Sequence, residues 1–218
     1  MKKMFTLLIT TAIIGFANAA AIGNDAYTKA MSEGMEALGN AQSPADFLAV
    51  GNKFGRIAEV ETEKWLPNYY ASYSVTVSAA MHQTAETKDD LLDKAQSYLD
   101  KIYKVDQYDM SEVQALQGFI YMIRIGVDPA SRGQQYSGMS AQALQKSKAA
   151  NPKNPRTLYM LAQLSAGSAQ FFGNDLSEAC GINEQALTLF ELESGNKERS
   201  FAPTWGKQMS LQFQEKCK

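Results

Sequence analysis

The chain has 218 residues, with 21 basic against 23 acidic side chains, and so lacks the positive excess that a nucleic-acid binder concentrates on one face. The sole histidine, His82, has no nearby Cys or second His with which to complete a zinc site, so no metal is expected. The length suffices for one sizeable core or for one continuous stack of helix pairs.

Lys2 and Lys3 precede an apolar run from Met4 to Phe16 and the small residues Ala17-Asn18-Ala19. A basic start, a short apolar stretch and small residues before the cut make a secretory leader, expected at residues 1–19, with one domain over 20–218. The run is shorter than the roughly 20 residues a membrane span needs, and no later one is longer. Export places the chain in the periplasm or outside the cell. There Cys180 and Cys217 either pair or remain two buried thiols, which their spacing alone does not decide.

Tyr27, Met31, Met35 and Leu38 recur at helical spacing and predict the first helix. Ser43-Pro44-Ala45-Asp46 opens a second, with an N-cap serine, proline at the first helical position and an acid in the first turn. Gly51 and Gly55 within it imply close approach of a neighbouring helix. A third helix runs from about Trp65 to His82; β-branched Val75, Thr76 and Val77 allow a strand there, but no partner strand is in reach. Thr87-Lys88-Asp89-Asp90 reads as the cap of a fourth, with both aspartates in its first turn. Asp109 caps a fifth helix, an insert follows from Asp128 to Met139, and Gly138 or Ser140 begins the partner helix ending at Ala150. Asn154-Pro155 and Asp175-Leu176-Ser177-Glu178 open two more, and Pro203-Thr204-Trp205-Gly206 begins the last. The fold class is all-α, with about nine helices.

Small residues recur where paired helices would cross, at Ala71, Gly118 and Ala162. Ser140, Leu144, Ser147 and Pro152 follow the small, large, small, proline order of a second helix. Both patterns resemble tetratricopeptide repeats, whose ordinary length is about 34 residues, with extra residues between the two helices of each pair. Phe54-Gly55-Arg56-Ile57-Ala58, Trp65-Leu66-Pro67-Asn68-Tyr69-Tyr70-Ala71, Asp128-Pro129-Ala130-Ser131-Arg132-Gly133, Asn151-Pro152-Lys153-Asn154-Pro155-Arg156, Phe171-Phe172-Gly173 and Pro203-Thr204-Trp205-Gly206-Lys207 extend the likeness over most of the mature chain. In that order they resemble an exported tetratricopeptide-like family of Gram-negative bacteria. The resemblance implies a helical-hairpin solenoid that binds a partner without catalysis.

Residue chemistry agrees on the absence of an enzyme. A nucleophilic triad would need His82, the sole histidine, which reads as a solvated helix terminus. Arg132 reads first as an ion pair tying the insert to Asp128 or another acid, and second as an anion clamp. Trp65 and Tyr69 read as core, Tyr70 and Tyr73 as surface. By the repeat's geometry Phe119, Tyr159 and Gln163 face the concave side. The expected function is therefore a periplasmic scaffold binding a protein or peptide in a groove marked by Tyr70, Tyr73, Phe119, Tyr159 and Gln163. The alternative is a small-molecule or glycan binding protein of the envelope, using the tyrosine-rich end. No cofactor is expected in either case.

Overall fold

A computed structural model describes residues 14–194 and 200–217. Most of the expected leader at 1–19 lies outside the described residues. Among those residues there are nine α-helices, one short 3₁₀ turn and no strand. They are α1 (Ile14–Asn40), α2 (Pro44–Val60), α3 (Trp65–Met81), α4 (Ala85–Ile102), α5 (Met110–Ile125), α6 (Pro129–Ala150), α7 (Pro155–Phe172), α8 (Ser177–Ser194) and α9 (Lys207–Gln214). No described helix is long and apolar enough to cross a membrane.

Each helix packs mainly on its sequence neighbours, in the pairs α3–α4, α5–α6 and α7–α8, while α3 touches α5 and α5 touches α7. Helices α3, α5 and α7 thus form one row, with α4, α6 and α8 as their partners and α2 also packed on α3, as in a helical-hairpin solenoid. Caps fix where several begin. Ser43 and Asp46 form a reciprocal capping box at α2, and Asp109 accepts from the amides of Ser111 and Glu112 at 2.9 and 3.1 Å at α5. Asn154 accepts from the Arg156 amide at 2.9 Å with Pro155 at the first helical position.

The small residues mark real crossings. A Cβ on Gly118 would lie 2.7 Å from Leu144 Cδ2, so α5 and α6 meet there without side-chain room. Serine is the small residue of choice on α6 because its hydroxyl satisfies facing backbone. Ser140 Oγ donates to Gly118 O at 3.0 Å, and Ser147 Oγ to Ser111 O at 2.6 Å. One core gathers Phe54, Tyr69, Tyr70, Leu92, Leu99, Leu116 and Ile120 from α2 to α5. A second gathers Leu144, Met160, Ala162, Phe190 and Phe213 from α6 to α9, and Phe119 and Trp205 pack against both.

Three expectations change. The Asp128–Met139 insert is no insert: α6 is continuous from Pro129, capped by Asp128, whose carboxylate accepts from the Ser131 amide and hydroxyl at 3.2 and 2.6 Å. Asp89 and Asp90 lie in the second turn of α4, which begins at Ala85 after Thr84. The last helix begins at Lys207, and residues 200–206 are irregular.

Candidate functional site

The groove expected on the concave side is covered by the chain itself. Trp205 stacks on Tyr73 with centroids 5.0 Å apart and on Phe119 at 5.9 Å, and its indole N–H donates to the Tyr69 hydroxyl at 2.8 Å. Tyr70 donates its hydroxyl to the Phe201 carbonyl at 2.9 Å, and Phe201 meets Tyr27 edge-on. Residues 201–206 therefore lie as a strap over α3 and α5, placed much as an extended peptide would be. Gly206 ends the strap with φ 107°, a conformation that favours glycine, and its Cα faces the Phe190 ring.

Tyr70 and Tyr73 are accordingly buried rather than at the surface, as is Tyr159. Phe119 is half-buried under Trp205, and Gln163 is half-buried on α7. Trp65, expected in the core, is only half-buried, whereas Tyr69 is fully enclosed. Burial raises the phenol pKa of Tyr73 and takes that of Tyr159 to about 12, so both remain neutral hydroxyls at physiological pH.

Beneath the strap lies a charged network. Arg156 on α7 is 1% exposed. It donates from Nε and Nη2 to Glu112 on α5, both at 2.7 Å, and from Nη1 and Nη2 to Glu193 on α8 at 2.8 and 2.7 Å. Tyr69 donates to Glu112 at 3.4 Å, so Glu193, Arg156, Glu112, Tyr69 and Trp205 form one chain of contacts. Burial works against the guanidinium charge, yet hydrogen bonds to Glu193 and the charge of Glu112 outweigh it and raise the pKa. Burial also lifts the Glu112 carboxyl above its ordinary value, with Arg156 pulling it back. With each guanidinium nitrogen donating to a carboxylate, the group is structural in form.

Arg132 pairs with a carboxylate, but the acid is Asp89 on α4, reached at 2.6 and 2.8 Å through both guanidinium ends, rather than Asp128. That occupied fork leaves little of Arg132 to clamp an anion. Cys180 and Cys217 are joined in a disulfide, Cα–Cα 5.7 Å, which ties the turn after α9 to α8. Among the described residues no group of three His, Cys, Asp or Glu could hold a metal ion.

The apolar surface that remains open lies elsewhere. A cleft of about 410 Å³ between α7 and α8 is lined by Leu161, Leu164, Phe172 and Ile182, with Ser165, Ser168, Asn174, Asp175 and Glu178 as its polar groups. Phe172 of this lining and its neighbour Phe171 are 72% and 74% exposed and meet edge-on at 5.1 Å. Gly173, left-handed at φ 72°, ends α7 directly after them. Two adjoining phenylalanines point about 100° apart around a helix, so both cannot enter one core. That much was available from Phe171-Phe172-Gly173, although nothing local placed Ile182 opposite.

No family model matches the chain, and no curated protein does. A solved structure does. The chain is similar to the HusA haemophore from Porphyromonas gingivalis, with a TM-score of 0.77 and 28% identity over 88% of this chain and 92% of that one. The likeness covers nearly all the helices and agrees with the all-α architecture. The tetratricopeptide resemblance has no family match behind it and rests on the paired stacking of helices alone.

Proposed function

We propose that this chain is an exported, non-enzymatic carrier of a porphyrin-type small molecule, held in the α7–α8 cleft. This is the small-molecule reading rather than the peptide-groove one, three of whose markers, Tyr70, Tyr73 and Phe119, lie under the strap. The observation that carries it is the pair of exposed rings, Phe172 in the lining of a partly apolar cleft and Phe171 next to it. Large exposed apolar side chains grouped at a concavity mark a binding surface. Similarity to a haemophore supports the ligand class, and the disulfide supports an oxidising compartment outside the cytoplasm.

The energetics suit a flat, amphipathic ligand. Covering the two phenyl rings contributes roughly 3–6 kcal/mol, against about 8 kcal/mol for micromolar affinity. Leu161, Leu164 and Ile182 supply further apolar area, Ser168 and Asn174 can donate to the ring's propionates, and the carboxylates of Asp175 and Glu178 favour an orientation that turns the propionates away from them toward solvent. The lining offers no imidazole, thiolate, thioether or phenol to coordinate iron. Stacking and burial of the macrocycle then carry the affinity.

Titration of haem and of metal-free protoporphyrin, followed by absorbance and by quenching of tryptophan fluorescence, tests the reading. Both ligands should bind with similar affinity, and Phe171→Ser with Phe172→Ser should weaken each at least tenfold. Undiminished binding by the double variant would remove the cleft from consideration, and failure of both porphyrins to bind would remove the ligand class.

A further inference from the structure

A second concavity lies at the other end of the solenoid, between α1, the turn before α3 and the loop from α4 to α5. It is an open recess of about 570 Å³, a volume within the usual range of small-molecule sites. Three aromatic rings from three different segments line it: Tyr27, Trp65 and Tyr108. Each is braced by another aromatic outside the recess. Tyr27 meets Phe201 edge-on at 6.2 Å, Trp65 meets Tyr69 at 5.4 Å, and Tyr108 meets Tyr103 at 5.9 Å. Braced rings lose little freedom when a ligand covers them, so the site is organised in advance.

The polar groups between the rings both donate and accept. Glu63, Gln107 and Asp109 supply two carboxylates and an amide. One oxygen of Asp109 is occupied with the amides of Ser111 and Glu112. The Lys64 ammonium sits 4.1 Å above the centre of the Tyr27 ring and pairs with Glu61 at 3.2 Å. A small cation would have to displace Lys64 from that ring, and a small anion would meet Glu63 and Asp109. A neutral ligand with a C–H face for the rings and hydroxyls for the mixed polar rim meets neither obstacle.

We propose that the Tyr27–Trp65–Tyr108 recess binds a carbohydrate, one or two pyranose rings stacking on the aromatics with their hydroxyls on Glu63, Gln107 and Asp109. The site is separate from the α7–α8 cleft and does not depend on the porphyrin assignment.

Saturation-transfer NMR with lactose, cellobiose, mannobiose and N,N′-diacetylchitobiose on the full chain tests it. At least one disaccharide should receive saturation at millimolar concentration, most strongly at the C–H protons of one ring face. Tyr108→Ala should weaken that sugar at least tenfold. Should that variant fold poorly, Glu63→Ala with Gln107→Ala removes exposed polar groups and should weaken the sugar at least fivefold. Porphyrin titration should be unchanged in these variants. The proposal is overturned if none of the four sugars binds, if binding survives in both variants, or if choline binds the recess and the sugars do not.

Discussion

At the scale of single residues, the most consequential group is Arg156. Its two carboxylate partners are held in a place where charge is costly, and removing the cation leaves them uncompensated. Arg156→Met should cost about 3–5 kcal/mol in urea unfolding, whereas replacing Arg156, Glu112 and Glu193 together by apolar residues should cost much less. Arg132 and Asp89 are a milder case, each side chain 30% exposed, so their pairing is worth under about 1 kcal/mol. The hydrogen bond from Arg132 holds the Asp89 carboxyl below its ordinary value. A lowered carboxylate stabilises above its unfolded pKa, near 3.9, and loses that contribution as pH falls through the folded value. Asp89→Asn should therefore be slightly less stable than the parent at neutral pH, and the gap should close below about pH 4 in acid-unfolding curves.

At the scale of elements, periodicity and caps made most helices legible, because a local pattern of apolar spacing with Ser43, Asp109 or Asn154 before it encodes a helix start directly. α6 was not, because Ser131, Gly133, Ser137 and Gly138 all disfavour a helix interior. Tertiary contacts override that preference: Arg132 reaches Asp89, and Tyr136 packs near Tyr121 with centroids 6.0 Å apart. The strap was illegible for a different reason. Pro203-Thr204 looks like a helix opening, and nothing near it reports that Trp205 will meet Tyr73 and Phe119. The α7–α8 cleft was half legible, through its two phenylalanines but not through the helix facing them. Two substitutions probe these junctions. Gly118→Ala gains up to about 1 kcal/mol of helix propensity but drives a methyl into Leu144, so a net loss of roughly 1 kcal/mol is expected by thermal or urea unfolding. Trp205→Ala should cost about 3 kcal/mol and should increase binding of a hydrophobic dye, because it bares Tyr73 and Phe119.

At the scale of the whole molecule, the two cores meet through Phe119 and Trp205, and the disulfide holds the C-terminal turn against α8. The bridge spans 37 residues, which in the chain-entropy model corresponds to about 3–4 kcal/mol. Reduction should therefore lower the melting temperature by several degrees in calorimetry, and the Cys180→Ala/Cys217→Ala variant should match the reduced protein. Porphyrin titration of the reduced protein below its melting temperature should be unchanged, since neither cysteine lines the cleft.

The strap also imposes an order of events during synthesis. Its hydrogen bonds to Tyr70 and to Tyr69 join residues 131 and 136 apart, among the most distant pairings in the chain. Loops of that length close late, after the local helical hairpins have formed. The aromatic face of α3 and α5 consequently waits, uncovered, until residues 201–206 have been made and can fold back over it. A chain cut short before Phe201 would keep that face open permanently, and aggregation of such a fragment, rather than simple loss of ligand, is its expected fate.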